Sequence, residues 1–114
     1  MNIIFSLVLY KQNLEIIKPL FFDIDNFYNY GLKKNTKTLL HIYDNSPSIN
    51  NDMTKLIKKD YISYMHDGNN LGYGRANNKN LLRKNLSNSN TLFIVVNPDI
   101  TFNYLDLFNY LQKF

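Results

Sequence analysis

The run at residues 3–9, Ile-Ile-Phe-Ser-Leu-Val-Leu, is apolar almost without interruption. It is too short for a free-standing helix, and it does not alternate as a strand with one wet face would. Such a run reads as a strand buried on both faces, the pattern of a parallel sheet. Residues 92–96 repeat it, again apolar throughout. Residues 38–43 and 61–65 are two further strand candidates. Between the first two strands Leu14, Ile17, Leu20, Phe21, Ile24, Phe27 and Tyr28 recur at helical spacing. Asn13 suits the cap of this helix and Gly31 its end. Pro19 leaves two solutions open: a kinked helix, or a later start near Lys18. Asp52 suits the cap of a short helix carrying Met53, Leu56 and Ile57. A polar helix is expected over 76–86, with its apolar stripe at Leu81, Leu82 and Leu86, then a turn at 87–90. A last helix is expected over 103–114, started from Asp99 or Thr101. Strands and helices therefore alternate four times, which predicts right-handed crossovers and a mainly parallel α/β sheet in one domain, 1–114.

Composition narrows the chemistry. The 114 residues are 45% hydrophobic and 19% charged, enough for one real core and too little for two full domains. Cysteine is absent, which excludes disulfides, thiolate catalysis and cysteine-based zinc sites. Two histidines, His41 and His66, are too few for a histidine-rich metal site, and each reads as structural. No stretch of about 20 apolar residues spans a membrane. No signal-peptide pattern opens the chain, so a cytoplasmic protein is expected. The net charge of +4 suits an anionic ligand or peripheral contact with an acidic membrane surface. The lysine pairs 33–34 and 58–59 form no basic stripe interleaved with aromatics, so no nucleic-acid partner is expected.

Ligands of open α/β sheets bind outside the carboxyl ends of the strands, and the unusual residues collect there. Asp44-Asn45-Ser46 follows the second strand. Three of the four glycines fall within 68–74, after the third. Asn97-Pro98-Asp99 follows the fourth. Familiar phosphate sites are missing: the turn after the first strand has no glycine, no Gly-Lys-Ser/Thr loop exists, and no serine stands between two glycines. Asp44 can accept hydrogen bonds from a base or ribose, or simply make a turn. Gly72 and Gly74 either let backbone approach a ligand or permit a tight loop. Arg75, near a helix start, suits a phosphate or a solvated surface. Asn78 faces either the cleft or water. Asp99 can hold a divalent cation on a diphosphate, or cap a turn.

In order along the chain, these pieces resemble the nucleotide-binding half of family 2 glycosyltransferases, the Rossmann-like GT-A fold, in its rhamnosyltransferase-like branch. Phe5-Ser6-Leu7-Val8-Leu9-Tyr10 resembles the opening strand and Asn13-Leu14-Glu15-Ile16-Ile17 the start of the first helix. Ile42-Tyr43-Asp44-Asn45-Ser46 resembles the Val-Asp-Asn-Ser element. Asn70-Leu71-Gly72-Tyr73-Gly74-Arg75-Ala76-Asn77-Asn78 resembles the Asn-Leu-Gly-Phe-Gly…Asn-Asn segment. Val96-Asn97-Pro98-Asp99-Ile100 resembles Leu-Asn-Pro-Asp-Val, which stands where other members carry Asp-x-Asp. The resemblance implies a nucleotide-diphosphate-sugar donor, dTDP-rhamnose or a UDP-sugar, used in inverting transfer during polysaccharide biosynthesis. It implies donor contacts from Tyr10, Asp44, Asn45, Asn70, Gly72, Gly74, Arg75, Asn78 and Asn97, and Mg²⁺ or Mn²⁺ on Asp99.

The chain departs from the pattern at three points. Lys11 follows Tyr10 where the family often has Asn, Asn80 replaces a frequent glycine, and Asn97 replaces the first acid of Asp-x-Asp. Family members also continue beyond the metal motif into an acceptor half with its general base. The chain is therefore expected to be a truncated donor-binding portion, catalytically incomplete alone, with a bare sheet edge that self-associates or meets a partner chain. The alternative is a non-catalytic nucleotide- or partner-binding α/β module.

Overall fold

The computed structural model describes residues 1–83 and 90–114. Eight elements alternate as expected: β1 (Asn2–Leu9), α1 (Leu14–Lys33), β2 (Lys37–Asp44), α2 (Met53–Leu56), β3 (Ile62–His66), α3 (Tyr73–Leu81), β4 (Thr91–Val96) and α4 (Tyr104–Leu111). The four strands form one sheet in the order β3-β2-β1-β4. Every pairing is parallel, so this is a Rossmann-like α/β fold. The order reverses between β1 and β4. Asn2 pairs with both Lys37 and Thr91, which makes β1, with β2, one of the two interior strands. That position explains its sequence, since a strand covered on both faces has no use for a polar stripe.

Alternate residues of β1 serve two unlike layers. Ile3, Phe5, Leu7 and Leu9 enter the main core with Ile17, Leu20, Ile24 and Phe27 of α1 and Phe108 and Leu111 of α4. Val8 meets Tyr43 and Ala76 on the other face, under α3. Rings dominate the first layer: Phe27 lies edge-on to Phe5 at 5.2 Å and against Phe108 at 5.7 Å. Fully burying side chains of this size contributes about 1.5–3 kcal/mol each.

The structure settles several local expectations. Asn13 caps α1, its Oδ1 accepting from the Glu15 N–H at 2.9 Å. Helix α1 then runs through Pro19, so the late start is not used. Gly31 does not end the helix, which continues to Lys33. Asn35, in the left-handed region at φ 55°, takes the C-terminal role expected of glycine. Gly31 is needed for proximity instead, because a Cβ there would stand 3.3 Å from the Thr36 carbonyl oxygen. Asp52 precedes α2 but its side chain makes no capping bond. Asn103, not Asp99 or Thr101, caps α4 by accepting from the Leu105 and Asp106 N–H groups.

Helix α3 departs most from expectation. It starts at Tyr73, three residues early, and ends at Leu81, so Leu82 and Arg83 fall outside it; the rest of the expected helix through Leu86 and the turn at 87–89 lie outside the described residues. Leu81 and Leu82 are exposed, whereas the buried face is Ala76, Asn77 and Asn80. Apolar periodicity selects the wrong stripe because this helix is seated by amides.

Candidate functional site at the carboxyl edge

The reversal in strand order places the crevice of an open α/β sheet at the carboxyl ends of β1 and β4. The loops after β1, β2 and β3 are tied together beside it. Asp44 ends β2 and is buried. Its Oδ1 accepts from the Ser46 N–H at 3.0 Å, and its Oδ2 accepts from the Tyr64 hydroxyl on β3. Burial and the bond to Asp44 hold the Tyr64 phenol well above its ordinary range, so it remains a donor. Tyr43 returns the arrangement, its hydroxyl donating to Asp67 Oδ2 at 2.9 Å. The carboxyl of Asp67 is held below the ordinary aspartate range by the Asn69 N–H and by Tyr43.

Asn45 works as a clamp. Its Nδ2 donates to the Gly72 carbonyl at 3.2 Å and its Oδ1 accepts from the Leu71 N–H at 3.1 Å. Its own N–H donates to the Leu9 carbonyl at 2.7 Å. Ser46 Oγ accepts from the N–H of Lys11, a residue at φ 50°, and the Ser46 carbonyl accepts from His66 Nε2 at 2.8 Å. A cleft of about 380 Å³ opens among Leu9, Lys11, Gln12, Leu14, Asp44 and Met53. Ser46, Ser48 and Asn50 line it too, so its walls are polar and apolar in about equal parts, and the Asp44 carboxylate beside it is already engaged by Ser46 and Tyr64.

The glycine loop leads into α3. Asn70 Oδ1 accepts from the Gly72 N–H at 2.9 Å, and Gly72 sits at φ 83°, where glycine is required. No side chain caps the N-terminus of α3. A Cβ at Gly72 or Gly74 would meet nothing within 4 Å, so that end is open. Arg75 is exposed and makes no hydrogen bond or ion pair with a described residue. Uncapped N–H groups, a helix dipole and a spare guanidinium together favour an anion.

The loop after β4 joins through Tyr73, whose hydroxyl donates to Asn97 Oδ1 at 3.1 Å. Asp99 follows in a turn, exposed and free of hydrogen bonds among the described residues. One free carboxylate fits a cation shared with a ligand's phosphates, not an all-protein cage. No group of three or more ligating side chains occurs among the described residues. Tyr10 is 44% exposed, with Lys11 Nζ 5.3 Å above its ring.

Hydrogen bonds thus bring Asp44, Asn45, Asn70 and Gly72 into one assembly and reach Asn97 through Tyr73. Gly74 and Arg75 follow on the same helix end. Asn78 is exposed, while its neighbour Asn77 is the buried amide and accepts from Ser6 Oγ at 2.7 Å. Tyr64 and Tyr73 were not singled out by the sequence. A tyrosine facing a motif carboxylate from the neighbouring strand emerges only once the β2–β3 register is known.

Comparison with family models, with curated proteins and with solved structures finds no match. No helix among the described residues is long and apolar enough to cross a membrane.

Proposed function

We propose that the chain binds a nucleotide-diphosphate sugar, dTDP-rhamnose or a UDP-sugar, at the carboxyl edge of its sheet. It would do so as the donor-binding portion of an inverting, rhamnosyltransferase-like family 2 glycosyltransferase of polysaccharide biosynthesis, working in the cytoplasm or at the cytoplasmic face of a membrane. The observation that carries this reading is the open, uncapped start of α3, with Gly72, Gly74 and unpaired Arg75 held beside the Asp44 cleft by Asn45. The base or ribose would lie against Asp44 and the diphosphate against α3 and Arg75. Asp99 would hold Mg²⁺ or Mn²⁺, with Asn97 fixed nearby by Tyr73. A bound cation neutralises charge on a leaving diphosphate. Asp106, in the first turn of α4, is exposed and is given no role as base.

The proposal extends to self-association or a partner chain. Its support is β4, whose outer edge pairs with no strand among the described residues, and Val95, which stays 46% exposed.

One observation favours a second reading, a non-catalytic binding module. Both oxygens of Asp44 and both ends of the Asn45 amide already serve internal bonds. Calorimetric titration with UDP and dTDP, with and without Mn²⁺, separates the two. Mn²⁺-dependent binding that is lost in Asp99→Ala supports the donor site. Absence of binding by a folded chain removes the donor reading and leaves the module.

A further inference from the structure

Beneath α3 lies a sealed cluster of polar side chains. Asn80 and Ser6 are fully buried, and Asn80 Nδ2 donates to Ser6 Oγ at 2.9 Å and to the Leu7 carbonyl at 3.3 Å. His41 of β2 is fully buried beside them, its Nδ1 2.9 Å from the Asn80 carbonyl oxygen. A carbonyl only accepts, so Nδ1 carries the proton and Nε2 carries a lone pair. Nε2 has no partner. Arg83, just past α3, reaches over the same strands, donating to the Ser63 carbonyl, Ser63 Oγ and the Ile42 carbonyl at 2.7–2.9 Å.

We propose that His41 is an acid-sensitive latch for α3: the neutral ring holds the last turn of the helix on the sheet, and protonation at Nε2 releases it. The new N–H would have no acceptor within hydrogen-bond distance among the described residues as α3 is seated, and the new charge would be buried against Arg83. Ser6 faces the ring from β1, Ser63 from β3, Tyr43 from further along β2, and Asn77 and Asn80 from α3. None of these is a carboxylate, so none offsets the charge. Burial, with Arg83 adding to it, holds the ring below its ordinary value of 6.5 despite the bond to Asn80.

Release would be local because the two layers differ. Under α3 the buried apolar contacts are Val8, Tyr43 and Ala76, with Leu71 beside them, whereas the main core lies on the other face. The start of α3 carries Gly72, Gly74 and Arg75, so release would also dismantle the proposed diphosphate site. That consequence rests on the donor reading; the latch itself does not.

The sign follows from linkage. The released ring titrates near 6.5 and the latched ring lower, so the latch holds above about pH 6.5. As pH falls further, the opening constant rises, approaching tenfold per pH unit for one proton, until the latched value is reached.

Amide hydrogen exchange followed by NMR from pH 7.5 to 5.0, corrected for intrinsic rates, tests this without nucleotide. The expected result is that protection at Asn77 to Asn80 falls toward tenfold per unit below pH 6.5 while protection at Ile24 and Phe27 holds. His41→Gln, which keeps an N–H for the Asn80 carbonyl but does not titrate, should flatten the dependence, and His66→Gln should preserve it. The latch is overturned if α3 and α1 lose protection together, if α3 protection stays flat, or if the dependence survives in His41→Gln. Should that variant fail to fold, the imidazole nitrogen shifts of the unaltered chain decide. An Nδ1–H ring protonating in step with α3 opening supports the latch, and a ring that titrates at 6.5 with α3 still protected overturns it. If nucleotide binding is absent while the exchange result stands, the donor reading fails and the latch does not.

Discussion

On one face of the sheet Phe5, Phe27 and Phe108 meet ring against ring; on the other, Ser6, Asn77 and Asn80 meet through hydrogen bonds. Both layers are buried, yet their energetics differ. Ring packing is large and weakly directional, so it sets how stable the fold is. A buried hydrogen bond adds only about 0.5–1.5 kcal/mol net, but leaving one partner unmatched is costly. The polar layer therefore adds little to total stability and much to the exact seating of α3. A helix whose open N-terminus is proposed to receive a ligand would need placement more than strength.

The largest expected effect is on the ring layer. Phe27→Ala should lower unfolding free energy by about 3–5 kcal/mol in urea titration, with α1, α3 and the sheet failing together. A smaller and local effect is expected at Asn80→Ala, about 1–3 kcal/mol, with exchange protection lost mainly from α3. If its loss matched Phe27→Ala and spread through the sheet, the contrast between the layers would be wrong. Ser6→Ala and Asn77→Ala should each be milder, and a double-mutant cycle between them should show coupling, because they share one bond. At the exposed end of the scale, Val95→Lys should change stability by no more than about 0.5 kcal/mol. It should nonetheless reduce self-association in sedimentation velocity.

A comparably small effect concerns Asp25, which lies on the ring side and takes bonds from Lys59 at 2.7 Å and the Tyr61 hydroxyl at 2.9 Å. Burial alone would raise its pKa, but Lys59 and Tyr61 outweigh it and the carboxyl titrates below its ordinary 3.8. Its contribution is present above pH 3.8 and is lost as pH falls through the depressed value. The pair is partly exposed, so Asp25→Asn should cost no more than about 1 kcal/mol, read as a shallower acid limb in thermal unfolding.

The ring layer was legible in the sequence and the amide layer was not. Helix α1 announces itself because Ile17, Leu20, Ile24 and Phe27 carry the period in apolar residues. Helix α3 carries the same period in Ala76 and Asn80, where hydropathy sees nothing and exposed Leu81 and Leu82 mislead. The adjacent pair Asn77 and Asn78 shows the limit: which amide turns inward depends on a register that only packing reveals. Asn45 shows another. Its place after β2 was readable, but whether an amide meets ligand or loop depends on where residues 71 and 72 return.

The strand order also has a consequence for synthesis. Of the four strands, interior β1 is made before the other three, and one of its two partners, β4, after them. At ordinary translation speeds of about 5–20 residues per second, roughly 4–16 s pass between the emergence of Leu9 and that of Thr91. Through that interval one flank of this apolar strand has no native neighbour, although β2 becomes available to the other part-way through. Until Thr91 emerges, the nascent chain leaves that apolar seam without its native partner, the kind of surface that chaperones exist to shield.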